Sequence, residues 1–498
     1  MKSENEKSKL KSKPILLILK ETFVDFCSNS TAHALPSVFR SENVIVKIIW
    51  MILFFVGVGG CIYYVYDSLH KFFQYEVAVD VKWNEMALQT FPAVTFCNIN
   101  PFDSSNLGVK AYLELMLTSN GLSTNLTASE DEPAIFQVNQ ALKVLKASAL
   151  TEHNTKSDGA FYLGFYLDSM LISCFYGGVK CSSSDFKRSY SFEYGSCYTF
   201  NSKGDKKTSK TGISNGLTME IFTGFPSRQD YFIENQGIYL AVHNNSQNPI
   251  PKYEGIRLPV GFSSNVAVKR TFNYRKEAPY SNCRISSAGL ATDSDYVNKT
   301  IKLTQYSRKL CFEICIQNLH IIPGCGCSDP SVPITDKSQT ICSTLDKLKC
   351  VDSIRAKFDS SDLSLNCSQL CPNECDRIIY ETSVSSSNYP TYYYYNIVSK
   401  QSNVENKFNS FSNVTYNLFK ESVLMVNVFY DELGYTTIIE SSLYTSEGIF
   451  ATIGGQLGFI LGISLLSVCE IIMFFIDLLI RIIEYFIKRK KNGIESFK

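Results

Sequence analysis

Four glycines, a serine and a glutamate share the last apolar segment of the chain. Gly454, Gly455, Gly458, Gly462, Ser464 and Glu470 all lie between Gly448 and Ile476, among residues that are otherwise mostly apolar. Roughly 20 apolar residues cross a bilayer, so this segment is longer than one span needs. Each glycine costs a helix about 1 kcal/mol relative to alanine. In lipid, glycines earn that cost where helices pack closely or where backbone faces a cavity. A glycine lets the backbone leave helical geometry and expose a carbonyl, and Ser464 adds a hydroxyl. Oxygen dipoles of this kind replace part of an ion's hydration shell, so the chemistry indicated is cation permeation. Glu470 follows Ser464 by about 9 Å of helix rise. A carboxylate at that depth needs water or a partner. The plainer readings are a tightly packed anchor for the glycines and an ion pair, with Arg481 for instance, for Glu470.

Other chemistries find little support. The five histidines, His33, His70, His153, His243 and His320, form no H-E-x-x-H spacing, and no phosphate loop occurs. No catalytic residue, metal site or cofactor is expected, and an ectoenzyme is set aside. Formal net charge is +1, which offers nucleic acid no basic surface.

These residues need elements to position them. Val44–Val65 is a second long apolar run, broken only by Lys47. Lys2, Lys7, Lys9, Lys11, Lys13, Lys20 and Arg40 precede it, and Arg481 and Lys488–Lys491 follow the other run. The positive-inside rule puts both ends in the cytoplasm and the intervening residues outside. The apolar stretch at Ile15–Leu19 is too short for a signal sequence and leads to no cleavage site. Fourteen of the 17 cysteines fall in the middle segment, as do the sequons at Asn125, Asn244, Asn298, Asn366 and Asn413. Both fit an oxidising exterior. The expected organisation is a cytoplasmic region at 1–43, a transmembrane helix at 44–66, an extracellular ligand-sensing domain at 67–444, a second transmembrane helix carrying the pore at 445–487, and a cytoplasmic tail at 488–498.

Within the exterior part, Phe91–Phe96 reads as a buried strand, 107–155 as helical, and 160–275 as short strands with polar turns. Tyr392–Tyr395 and Val423–Tyr430 read as further strands, and Glu130-Asp131-Glu132 as a solvated loop. Ten cysteines crowd into 283–375. Cys311-x3-Cys315 and Cys367-x3-Cys371 have helical spacing and fit two stapled helices. Cys325-Gly-Cys327 reads as disulfide rather than metal ligand. Spacing does not fix the pairing: fourteen cysteines permit on the order of 10⁵ connectivities. The fold class is an α+β membrane protein, with two transmembrane helices and a large disulfide-rich extracellular domain of β-sheet core and peripheral helices.

The chain resembles the degenerin/epithelial sodium channel family, the amiloride-sensitive sodium channels, over nearly its whole length. The resemblance rests on Phe91-Pro-Ala-Val-Thr-Phe-Cys-Asn98, Pro279-Tyr-Ser-Asn-Cys283, Cys371-Pro-Asn-Glu-Cys375 and Gly454-Gly-Gln-Leu-Gly-x3-Gly-Ile-Ser464. It implies a homo- or hetero-trimer of homologous subunits in the plasma membrane, with Gly462, Ile463 and Ser464 as selectivity filter. Thr452, Gly455, Gly458 and Glu470 would line the pore, and His33, Gly448 and Tyr280 would take part in gating. The family's disulfide ladder would pair Cys97 with Cys197, Cys174 with Cys181, Cys283 with Cys375, Cys311 with Cys371, Cys315 with Cys367, Cys325 with Cys350, and Cys327 with Cys342. The implied partners are sodium ions, with calcium left open, the lipid bilayer, an amiloride-type blocker and an extracellular ligand.

The sequence also departs from the family pattern. His33-Ala34 stands where His-Gly is usual, Thr452 where an Asp is frequent, and Ile463 where a smaller residue is usual. Gln74-Tyr75-Glu76-Val77 replaces the histidine pair of acid-sensing members. That repertoire favours similarity to the peptide-gated channels of cnidarians. The function expected is a subunit of a trimeric, sodium-permeable channel opened by extracellular neuropeptide. The alternatives are a proton-gated or constitutively open sodium channel of the same family and, from another class, a non-conducting two-span receptor or adhesion protein. ATP-gated two-span trimers share the topology but have a different cysteine framework.

Overall fold

The computed structural model describes residues 15–123, 134–156, 159–226, 233–285, 293–336, 338–360, 363–408 and 414–495. The calls at Asn125, Glu130–Glu132 and Asn413 lie outside the described residues. The chain divides into two compact units, Met1–Ala78 with Ser442–Lys498, and Val79–Ser441.

The first unit is helical. It contains α1 (Ile15–Asn29), α2 (Leu35–Arg40), α3 (Val44–Phe73) and, in the C-terminal part of the chain, two helices separated by a break, Ser446–Leu461 and Leu465–Glu495. The Asn43 side chain caps α3 by accepting the Ile45 N–H at 3.0 Å. Only Cys61 and Ser68 of its 30 residues are buried, while Ile48, Ile52, Phe55, Val56 and Ile62 face outward. A helix apolar on every side is matched to lipid rather than to water. It is long and apolar enough to cross a membrane, and the two C-terminal helices taken together are as well.

The second unit is built on two sheets. Its strands are β1 (Val77–Glu85), β2 (Gln89–Thr90), β3 (Ala93–Asn98), β4 (Leu171–Tyr176), β5 (Val179–Lys180), β6 (Phe186–Ser191), β7 (Gly195–Phe200), β8 (Lys207–Thr208), β9 (Leu217–Phe222), β10 (Gly237–His243), β11 (Ile256–Pro259), β12 (Phe262–Tyr274), β13 (Cys283–Arg284), β14 (Asn373–Glu374), β15 (Asp376–Asn388), β16 (Val423–Tyr430) and β17 (Gly434–Ser442). One sheet runs β1-β17-β12-β16-β9-β4-β5, with β15 also paired to β12; the other runs β11-β10-β3-β7-β6. The long strand β12 pairs antiparallel with β15 along its whole length and parallel with β16 and then β17. Its alternation buries Val266 and Val268 and exposes Lys269, as a half-buried strand requires. The main core joins Phe91, Phe96 and Phe200 to Met219, Ile221, Leu240, Val426 and Val428.

Helices flank this core. The stretch read as helical at 107–155 forms α4 (Leu107–Ser119) and α5 (Ala134–Thr155), which pack on each other through Leu113, Leu117, Ala141 and Leu145. The cysteine-rich region adds α6 (Asp295–Leu303), α7 (Arg308–Ile316), α8 (Leu345–Asp359) and α9 (Leu363–Leu370). Cys311 bonds to Cys371 and Cys315 to Cys367, so α7 and the end of α9 are joined by two successive rungs. Cys325 bonds to Cys350 and Cys327 to Cys342. Cys283 bonds to Cys375 beside the β13–β14 pair. Cys97 and Cys197 face each other directly in register on β3 and β7. Cys174–Cys181 closes the β4–β5 hairpin, whose turn is Gly177-Gly178 at φ 56° and 80°. Two consecutive positive φ values are what a tight hairpin turn of that hand demands.

One expected strand is a helix. Tyr392–Tyr395 opens α10 (Tyr392–Val398), because the Thr391 hydroxyl caps it by accepting the Tyr394 N–H at 3.3 Å. Tyr392 and Tyr395 then share one face and meet Tyr416 at 5.6 and 5.7 Å. Aromatic β-propensity yields here to a cap and to ring packing. The remaining helices of the first unit are named α11 (Ser446–Leu461) and α12 (Leu465–Glu495).

Candidate functional site: a broken helix and the loop docked on it

The Thr445 side chain starts α11 by accepting the Gly448 N–H at 3.0 Å. The helix stops at Gly462, which adopts φ 67°, ψ 16°. The Gly462 N–H donates to the Gly458 carbonyl at 3.0 Å and the Ile463 N–H to the Leu457 carbonyl at 3.2 Å, a left-handed glycine termination. Ser464 begins the next helix. Its hydroxyl accepts the Ser467 N–H at 3.4 Å, and the Ser467 hydroxyl accepts the Ser464 N–H at 3.1 Å. The axes of α11 and α12 differ by 75°. Gly462, Ile463 and Ser464 are thus the three residues between the helices, with Ser464 exposed.

A loop from the N-terminal part of the chain sits on this break. The main-chain N–H of His33, between α1 and α2, donates to the Leu461 carbonyl at 2.7 Å. That carbonyl belongs to the last turn of α11 and has no partner within the helix. The His33 ring occupies the space beside Gly462: a Cβ built there would lie 1.4 Å from His33 Nδ1. Two residues earlier, Thr31 binds α12. Its N–H and its hydroxyl each donate to Glu470 Oε2 at 3.1 Å, and the hydroxyl also lies 2.6 Å from Ser467 Oγ. Glu470 therefore finds hydrogen-bond donors and, among the described residues, no cation; Arg481 pairs with Asp477 at 2.8 Å instead.

Two further contacts set α3 against α11. A Cβ on Gly57 would meet Leu461 at 3.4 Å and Ile460 at 3.5 Å, so the small residue admits the neighbouring helix. Gln456 Nε2 donates to Ser68 Oγ at 3.2 Å. Thr452, Gly455 and Gly458 are exposed along α11, and Thr452 spends its hydroxyl on the Gly448 carbonyl at 2.8 Å. Thr31 and Ser467 were not singled out from the sequence. Their signal is weak: one lies two residues before His33, the other three after Ser464.

The comparisons complete this picture. The profile of the amiloride-sensitive sodium channel family matches residues 26–474. The chain belongs to that family. The degenerin-like protein asic-2 of Caenorhabditis elegans is 29% identical over 477 residues, 90% of this chain and 85% of that protein. The human bile acid-sensitive ion channel is 25% identical over 472 residues, 90% and 84% of the two chains. The chicken acid-sensing ion channel 1 is 25% identical over 471 residues, 90% and 82%. Among solved structures, a proton-activated chloride channel overlaps at a TM-score of 0.33 and 5% identity, too low to carry any argument. This family member is a sodium channel subunit of the degenerin and acid-sensing group, a protein of the plasma membrane, and not an enzyme.

The second unit of this channel subunit holds the other singled-out residues. Tyr280 lies in the turn between β12 and β13, with the Lys276 ammonium 5.6 Å from its ring centre. Asn298 is half-buried on α6, Asn366 is exposed on α9, and Asn244 donates to the Ser246 hydroxyl of its own sequon at 3.0 Å. Among the described residues, no group of three acidic, histidine or cysteine side chains could hold a metal. The strongest electrostatics lie in the cysteine-rich module. Arg355 on α8 reaches Glu313 on α7 at 2.7 Å and Asp329 at 2.6 Å, and Lys252 also reaches Glu313 at 2.7 Å. Burial pushes both carboxyls up. The Arg355 charge outweighs it, helped by Lys252 at Glu313 and by Ser331 at Asp329, and both pKa values fall below the usual carboxylate range.

Proposed function

We propose that the chain is one of three subunits around a sodium-permeable pore, opened by an extracellular ligand. One observation carries this reading: the apolar segment breaks at Gly462–Ser464 and leaves main-chain and hydroxyl oxygens at that level. Such a break inside a membrane is tolerated where it is buried in protein or lines water. Gly462, Ile463 and Ser464 are then the filter, with Thr452, Gly455, Gly458 and Glu470 along the path. The docked His33 loop steadies the break from the cytoplasmic side, and Gly448 is the small residue whose bulk would prop the pore open. This reading makes α3 one span and α11 with α12 the other, with both termini inside and Tyr280 coupling ligand to pore. Asn244, Asn298 and Asn366 would then be open to glycosylation from the exterior. A row of exposed apolar side chains on one face of β1, Val77, Val79, Val81 and Trp83, supports assembly with neighbouring copies.

The ligand is proposed to be a short extracellular neuropeptide, because the histidine pair of acid-sensing members is absent after the first span. Acid is the second reading, favoured by half-buried His153, whose ring stacks on Tyr190. Ligand binding would shift a closed–open equilibrium. The test is electrical recording from cells expressing the chain alone and with sister subunits. Amidated peptides, acid or a Gly448→Phe substitution should evoke an amiloride-blocked sodium current. Surface-expressed protein that stays silent to all three, with and without partners, would overturn the reading.

A further inference from the structure

The end of α5 carries a histidine that the pore does not use. His153 Nδ1 accepts the Ala160 main-chain N–H at 3.1 Å, so this nitrogen bears no proton in the arrangement seen. Its ring stacks on Tyr190 of β6 at 4.2 Å and 13°, and meets Phe161 edge-on at 4.9 Å and 89°. The turn was shaped to this ring. Gly159 has φ 65°, and a Cβ there would lie 2.3 Å from His153 Nδ1. One imidazole therefore holds three pieces together: the end of α5, the turn at 159–163, and β6.

The charged and titratable groups around it come from every packed element. From β6, Arg188 lies over Phe161 at 3.9 Å and donates to the Phe161 carbonyl at 3.2 Å. Tyr190 of the same strand covers the ring face. On α5 itself, Glu152 and Lys156 pair with each other, and the Tyr162 hydroxyl from the turn donates to Glu152 at 2.6 Å. Tyr112 of α4 also faces Glu152 and, against burial, helps to lower its pKa. Glu152 Oε1 is thus occupied by its own partners, while Oε2 is buried without one among the described residues. Burial, and then the Arg188 charge, hold His153 below the usual histidine range.

We propose that His153 is a proton-binding latch: a proton on Nδ1 turns the acceptor of the Ala160 N–H into a donor and releases the 159–163 turn from α5. The step is a proton transfer alone: an Nδ1–H bond forms as a solvent O–H bond breaks, and the proton returns to solvent when pH rises. The folded arrangement favours the neutral ring, so the latch holds at and above the ordinary histidine range and opens as pH falls below it. This deepens the acid reading of the channel by naming where a proton would act, and it is testable without any current.

The test is hydrogen–deuterium exchange of the full chain in lipid nanodiscs, read on peptides covering 156–164 between pH 7.5 and 5.0 and corrected for the intrinsic rate. The wild type should lose protection, approaching roughly tenfold per pH unit once the ring titrates. His153→Gln keeps an acceptor but cannot titrate and should stay flat across the range. His153→Phe keeps the stack without the acceptor and should be unprotected at both ends. Glu152→Gln should respond like the wild type. A pH response shared by His153→Gln, its loss in Glu152→Gln, or a flat wild type would each overturn the latch. Recording separates the two claims: failed exchange with intact current leaves the channel standing, and silent channels with the exchange pattern intact leave the latch standing.

Discussion

The His33 ring lies where a side chain on Gly462 would have to go. Gly462 is fixed twice over, by its left-handed φ and by that ring. Gly462→Ala should therefore be among the most damaging single changes in the helical unit. The φ alone costs on the order of 1–3 kcal/mol, before the His33 loop is displaced. The expected outcome is surface-expressed protein with at least tenfold less current. His33→Ala in the same background should recover part of it by vacating the space. Normal current from Gly462→Ala would mean that the loop does not rest on the break when the channel works.

Thr31 and Glu470 are 439 residues apart and share two hydrogen bonds. Thr31→Val preserves shape and the main-chain N–H but removes the hydroxyl bond. A hydrogen bond to a charged group contributes about 1.5–3 kcal/mol. Thr31→Val and Glu470→Gln should each lower the melting temperature of the detergent-solubilised protein. Together they should fall short of the sum, with a coupling of roughly 0.5–3 kcal/mol. Strict additivity would show that the two groups do not meet.

These two contacts also mark where the sequence stops being legible. Alternation made β12 readable and a nearly continuous apolar run made β16 readable, because a strand writes its pattern in neighbouring residues. The i, i+4 spacing of Cys311 with Cys315 and of Cys367 with Cys371 announced two stapled helices for the same reason. The family resemblance, and not spacing, marked Gly462 and Ser464 as the place where helix geometry fails. Thr31 carried no such mark, since its partners lie at the far end of the chain and no local period connects them. Tyr392–Tyr395 misled in the opposite way. Four tyrosines look like a strand until Thr391 is seen as a cap and Tyr416 as the surface they pack on.

Arg355 stands between two buried carboxylates, and its loss would reverse their response to acid. In the wild type, Glu313 and Asp329 have lowered pKa values. A lowered acid contributes stability above its unfolded pKa and loses it as pH falls through the folded one. The disulfide-bonded domain should therefore weaken progressively below about pH 4. Arg355→Leu removes the shared cation and should cost about 3–5 kcal/mol at neutral pH, because a buried charge is left without its partner. The same variant should regain stability between pH 7 and pH 5, where Asp329, left with Ser331 alone, can take up a proton, while Glu313 keeps Lys252. Thermal melts across that range check the sign. A variant that weakens with acid as the wild type does would show that Ser331 alone keeps Asp329 ionised.

Glu220 is a buried carboxylate held by hydroxyls. It lies on β9 at 4% exposure. It accepts from Ser173 at 2.6 Å, from Tyr389 at 2.8 Å and from Tyr394. A bulge between Leu171 and Ser173 brings the serine opposite Glu220, as bulges commonly re-aim a side chain. Burial, and then the Glu220 charge, push the Tyr389 phenol up, so the hydroxyl keeps its proton and remains a donor. Three elements, β4, β9 and the start of α10, thus meet at one acceptor. Tyr394→Phe removes one of three donors to a charged group and should cost about 1.5–3 kcal/mol. Glu220→Met removes the acceptor and strands all three hydroxyls, so it should cost more than any single donor variant, with about 1–3 kcal/mol for each group left unsatisfied. Glu220→Gln should fall between, since its amide keeps one oxygen but presents its own N–H groups to hydroxyls oriented as donors. Chemical or thermal unfolding of the three variants orders them. A Glu220→Met protein as stable as Tyr394→Phe would mean that water, and not the three hydroxyls, satisfies this carboxylate.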